Sequence, residues 1–162
     1  MKIIFIGDIV GKEARQTFIN KISDIKSTYQ TDAIIVNAEN AAAGFGLTKK
    51  IANQLLEAGV DVITLGNHAW DQKEMLSHIE ECPNIVRALN YPSGVPGRGY
   101  YDLKLHDGRN IIVLQIMLRL FMGLSLDDPF NVTQIFLKKE KLGSTCNAII
   151  VDMHGEATSE KN

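Results

Sequence analysis

AIIVNAENAAAGFGLTKKIANQLLEAGVDVITLGNHAWD, residues 33–71, decides the fold of this chain. Ala33 to Val36 is a short apolar, β-branched run, and Val60 to Leu65 is a second with the same character. Between them Thr48 to Ala58 carries apolar residues at helical spacing, with Thr48 placed to cap its start and Gly59 to close it. Working outward, Lys2 to Ile6 is an earlier strand and Glu13 to Thr28 an earlier helix. Strand, helix, strand, helix, strand predicts right-handed βαβ units around a parallel sheet. A further helix is expected over Gln72 to Glu81, stopped by Pro83.

Downstream the texture changes. NYPSGVPGRGY, residues 90–100, is dense in glycine and proline and reads as a long surface loop. Tyr100 to His106 and Asn110 to Leu118 flank Asp107-Gly108, a strong hairpin signal, so an antiparallel pair follows the parallel part in a mixed sheet or a second one. Asp127, Asp128 and Pro129 lead into a helix ending near Leu142 and Gly143, and Ala148 to Val151 forms one more buried strand.

A chain of 162 residues, 45% of them hydrophobic, is enough for a single domain with a real core. Lys plus Arg at 17 against Asp plus Glu at 19 leaves a net charge of -2, so there is no basic field for duplex nucleic acid or an anionic membrane. Cys82 and Cys146 lie far apart without CxxC spacing, which argues against a zinc knuckle and a secreted disulfide framework and for a reduced, cytoplasmic setting. The apolar stretch from Ile111 to Leu126 is broken by Gln115, Arg119 and Gly123, so no membrane span is expected.

Asp, Glu, Asn and His recur just past the apolar runs, where sites in α/β sheets are built. Asp8 follows the first strand and Gly7; taken alone it reads first as a helix N-cap or turn residue. Glu39 and Asn40 follow the second strand, ahead of small residues that leave the backbone approachable. A carboxylate bridges cations and an amide oxygen ligates one, though a polar turn explains the pair as well. Asn67 and His68 follow the third strand, an amide ligand beside an imidazole able to pass a proton near neutral pH. Trp70 and Asp71 are read only as packing and capping residues, and His78 and His106 as structural or solvated. His154 ends the last strand, with Asp152 or Glu156 in reach to orient it. Four ligand-bearing strand ends carry more weight together than any one alone. GDIVGK is no phosphate loop, because its glycine spacing is too short and Glu13 follows Lys12; GFG does not meet the dinucleotide fingerprint, which leaves a doubly wound nucleotide-binding module as a poor reading.

GDIVG (7–11), VNAENAAAGFG (36–46), GNHAWD (66–71), NYPSGVPGRGY (90–100), LDDPF (126–130) and VDMHGEATSEK (151–161) together resemble the bacterial YmdB-type metallophosphoesterases, a branch of the calcineurin-like superfamily that acts on cyclic nucleotides. The resemblance implies a four-layer α/β sandwich, two mixed β-sheets face to face and flanked by helices. It also implies a dinuclear centre of two divalent metal ions, iron foremost with manganese or zinc as alternatives, hydrolysing phosphodiesters such as 2',3'-cyclic nucleotides through a metal-activated water. Matched residue by residue, Asp8 and Asn40 are ligands of one metal, Glu39 bridges, Asn67 and His154 are ligands of the other, and His68 is the proton donor.

The family completes both metals with the histidines of a GTHTH motif, which this sequence does not contain. The expectation is therefore a single, incomplete domain over residues 1–162, lacking C-terminal strands, with one ligand missing from each metal. An uncovered sheet edge would recruit a second copy or a separately encoded C-terminal fragment. The alternative function is a truncated remnant that oligomerises without catalysis, or a half-site that needs such a fragment.

Overall fold

The structure, a computed structural model, describes residues 1–162. Two sheets lie face to face. The first runs β1 (Ile3–Ile6), β2 (Ala33–Asn37), β3 (Val62–Thr64) and β4 (Ile85–Val86) in that order, every neighbour parallel. Helices α1 (Gly11–Tyr29), α2 (Lys49–Ala58) and α3 (Met75–Glu81) make the crossovers between successive strands. The second sheet runs β5 (Tyr100–Lys104), β6 (Asn110–Met117) and β7 (Ala148–His154), with β5 antiparallel and β7 parallel to β6. The α4 helix (Pro129–Lys139) makes the β6–β7 crossover, and α5 (Thr158–Lys161) follows β7.

The layers follow from the period of two along each strand. On β2, Ile34 and Val36 face Phe18, Ile22, Ile51 and Leu55 of the helices, while Ala33 and Ile35 face the second sheet. Buried on both faces, β2 is apolar at almost every position instead of alternating. The same logic splits β6: Ile111 and Val113 meet the first sheet, whereas Ile112, Leu114 and Ile116 meet Phe136 of α4. Helix, sheet, sheet, helix is the four-layer arrangement expected. The expectation of two mixed sheets is corrected in one respect: the first is wholly parallel, because a helical crossover separates each of its strands from the next.

Thr48 caps α2 as its position predicts, its side chain accepting from Ile51 N at 3.2 Å. Gly59 closes the helix at φ 109°, a conformation that favours glycine. The third helix starts at Met75 instead of Gln72, and β4, only two residues long, went unread in the sequence. Both cysteines are unpaired thiols, and no helix is long and apolar enough to cross a membrane.

Candidate active site

Parallel pairing aligns the carboxyl ends of the first three strands, so the loops after β1, β2 and β3 leave from one edge. The β1 loop is sewn onto the β2 loop by Ile9 N donating to Asn37 O and Gly11 N donating to Asn40 O, each at 3.1 Å. Between these two anchors Asp8 holds φ at 25°, unusual for a side-chain-bearing residue, and its Oδ1 accepts from Asn40 Nδ2 at 2.7 Å. Asp8 does not cap α1, whose N-cap is Val10, so of the two plain readings of this residue the helix cap is excluded and the turn is what the structure shows.

Glu39 is 4% exposed. Its Oε1 lies 2.8 Å from Nδ1 of His154, which arrives from the other sheet at the end of β7. That carboxylate raises His154 above the ordinary imidazole value, ahead of the opposing effect of burial and with smaller help from Asp152 and Glu156. Glu39 Oε2 is buried and has no partner. It sits where a side chain at Gly66 would otherwise be, so the glycine after β3 is what admits the carboxylate. Asp152 does not orient His154. Its Oδ2 instead accepts from Asn37 Nδ2 at 2.9 Å and Thr64 Oγ1 at 2.5 Å, riveting β7 to β2 and β3 beneath the site.

Asp8, Glu39 and His154 line one cavity of 310 Å³, with Asp152 and Glu156. Asn40 joins it through Asp8. Asn67 opens instead into a neighbouring cavity of 580 Å³, and Glu156 borders both. His68 lines neither cavity. Its Nδ1 lies 2.7 Å from Asp71 Oδ2, and its ring meets Phe45 edge-on with centroids 5.3 Å apart. Asp71 is thus the polar partner of His68, a role the sequence reading missed; the i, i+3 spacing behind a histidine was the available signal. Trp70 packs on Tyr91 with centroids 6.0 Å apart. Of the other histidines, His78 is buried against Glu81 and Cys82, and His106 is exposed, one structural and one solvated. No three His, Cys, Asp or Glu side chains surround a common point at metal-ligand distance. The donor atoms meet in pairs, His154 with Glu39 and Asn40 with Asp8.

Two stacked sheets flanked by helices, with carboxylate, amide and imidazole groups gathered at strand ends, define the calcineurin-like phosphoesterase class of fold. Within that class, a family profile described as "YmdB-like protein" matches residues 4–162, and the chain belongs to that family. It is 41% identical over 165 residues to a 2',3'-cyclic-nucleotide 2'-phosphodiesterase of Bacillus subtilis (strain 168), covering 99% of this chain and 60% of that protein. A putative phosphatase/phosphodiesterase of Mycoplasma pneumoniae is 39% identical, with 100% of this chain and 58% of that protein covered. Among solved structures, a hypothetical protein from Thermus thermophilus aligns with a TM-score of 0.88 at 42% identity, over 99% of this chain and 60% of the other. A novel phosphatase from Mycoplasma pneumoniae aligns with a TM-score of 0.88 at 36% identity, over 100% of this chain and 58% of the other. The chain therefore spans about 60% of the length of the relatives it matches.

Proposed function

We propose that this chain carries a metal-dependent phosphodiesterase site whose substrates are 2',3'-cyclic nucleotides, the class named for the Bacillus subtilis relative. The observation that carries the reading is the buried Glu39 carboxylate, held by His154 from the opposite sheet and left with one oxygen unpartnered over Gly66. An unmatched carboxylate oxygen in a protein interior is costly, and a cation is the partner that most directly offsets that cost.

The donor set fits divalent metal ions. Two carboxylates, two side-chain amides and an imidazole suit iron, manganese or zinc; Asp8 and Asn40 would hold one ion, His154 and Asn67 the other, and Glu39 would be the carboxylate available to both. Such a pair of cations supplies charge neutralisation at the phosphoryl oxygens and a more acidic water.

The chain's own groups do the remaining work. With Asp71 against Nδ1 of His68, Nε2 is the ring nitrogen left free to face substrate, and in the imidazolium form it carries the proton to be given. As water displaces the ribose oxygen at phosphorus, the bond from phosphorus to that oxygen breaks and His68 gives it the Nε2 proton. Asp71 holds the ring in place for this transfer. The Asn37, Thr64 and Asp152 cluster keeps the two sheets in register so that His154 reaches Glu39.

A leaving-group comparison tests the assignment. His68→Ala is expected to slow hydrolysis of adenosine 2',3'-cyclic monophosphate by roughly 10²- to 10⁴-fold, the span of general-acid catalysis. It should slow bis(p-nitrophenyl) phosphate far less, because nitrophenolate departs without a proton. Equal losses on both substrates would remove His68 as the donor. Unchanged hydrolysis of both in Glu39→Ala would remove the site.

A further inference from the structure

The loop after β6 holds an aromatic ring that packing does not explain. Phe121 is 86% exposed and sits at φ 65°, in the left-handed region where a bulky side chain is a genuine outlier. Met122 N donates to Arg119 O at 3.3 Å, so Phe121 occupies a position in a tight turn for which glycine or asparagine is the ordinary choice. The turn is held on both sides. Glu160 accepts from Arg119 N at 2.9 and 3.1 Å and from Leu120 N at 2.9 Å. Met122, next along, packs against the buried group of Ala88, Met117 and Leu126. A fixed backbone that presents a strained, solvent-facing ring points to use of the ring, since the conformation disfavours it and no core contact offsets the strain.

The position of the ring supplies the use. Phe121 and Met122 line the 580 Å³ cavity together with Asn67, Glu156, Thr158 and Ser159. Asn67 is the residue before His68, and Glu156 also borders the cavity of Asp8, Glu39 and His154. An aromatic face thus shares a cavity with Asn67, one of the proposed metal-holding residues, and with Glu156, which borders the other cavity as well. A planar, apolar surface beside a polar, phosphate-directed site fits a molecule with one flat aromatic end and one anionic end. Aromatic side chains hold nucleobases by stacking with little regard to base identity.

We propose that Phe121 is the stacking platform for the nucleobase of the substrate, with Met122 as its floor and the Thr158 and Ser159 hydroxyls available to the sugar. This rests on the phosphodiesterase reading and extends it: discrimination lies between phosphodiesters with and without an aromatic base, with weak preference among bases.

The test is calorimetric titration of the full-length protein with adenosine 3'-monophosphate, and separately with inorganic phosphate as the base-free probe. Wild type should bind the nucleotide more tightly than phosphate. Phe121→Ala should weaken the nucleotide about tenfold, within the range for loss of one stacked base, and leave phosphate unchanged. Phe121→Trp should keep the preference. Phe121→Gly separates this role from a structural one: relief of the positive φ should hold or raise Tm while nucleotide affinity falls. Nucleotide affinity unchanged in both the Ala and Gly variants, or a wild type that binds nucleotide no better than phosphate, overturns the platform and leaves the phosphodiesterase reading standing. A wild type that binds neither probe overturns both. Loss of Tm with loss of phosphate binding in the Gly variant would assign Phe121 to packing against other parts of the protein and overturn the platform.

Discussion

A Cβ at Gly66 would overlap the Glu39 carboxylate, so the loop after β3 and the acid after β2 can share the space in only one way. Gly66→Ala is therefore expected to push Glu39 away from His154 while leaving the strands intact. Displacement of about an ångström at a catalytic group costs on the order of 10²-fold in rate. The check is kcat on a cyclic nucleotide beside a Tm that falls little; full activity in a folded variant would mean that the position of Glu39 is unimportant. At this scale the convergence of Asp8, Glu39, Asn40 and His154 was legible in the sequence, because each stands directly after, or at the end of, an apolar run, and parallel strands deliver such ends to one edge. Asp71 was not legible, since an Asp ahead of a helix reads first as a cap, and only the folded turn shows it against His68. Nor was the true role of Asp152, because Asn37 and Thr64, which hold it, are distant in sequence and are brought near by sheet packing.

Elements behave as their ends dictate. Asp128 is the N-cap of α4, its Oδ1 accepting from Phe130 N at 2.9 Å and Asn131 N at 3.1 Å, with Pro129 in the first turn where its missing N–H does no harm. Asp128→Ala is expected to cost about 1 kcal/mol, and Thr48→Ala at the start of α2 a similar amount, read from denaturant midpoints at constant m-value. A loss well beyond about 2 kcal/mol at Asp128 would show that its 3.9 Å contact with Arg119 contributes more than an exposed ion pair ordinarily does. The longer elements could be read from periodicity and caps, β2 and α2 most clearly. The hairpin could be read too, from Asp107-Gly108. Two short ones could not. β4 has two residues and is defined by its partner β3, while α5 spans four residues and has no buried residue. The β7 strand runs to His154, beyond the apolar stretch that announced it, because parallel pairing with β6 continues to Met117 regardless of side-chain polarity.

As a whole the molecule is two sheets whose carboxyl ends face one site. β1 and β7 are edge strands, and Phe5 and Met153 from these edges line the cavity of Asp8, Glu39 and His154. The site therefore lies at the seam between the sheets instead of within either, and its integrity depends on the distance between β2 and β7. This is why a buried carboxylate from one sheet and an imidazole from the other are the decisive pair. Metal content of the full-length protein, by elemental analysis after gel filtration and beside Glu39→Ala, tests this account most directly. About two transition-metal ions per chain in the wild type, falling steeply in a folded Glu39→Ala variant, is the result it predicts. A folded wild type without metal, or a Glu39→Ala variant that retains its full complement, would contradict it.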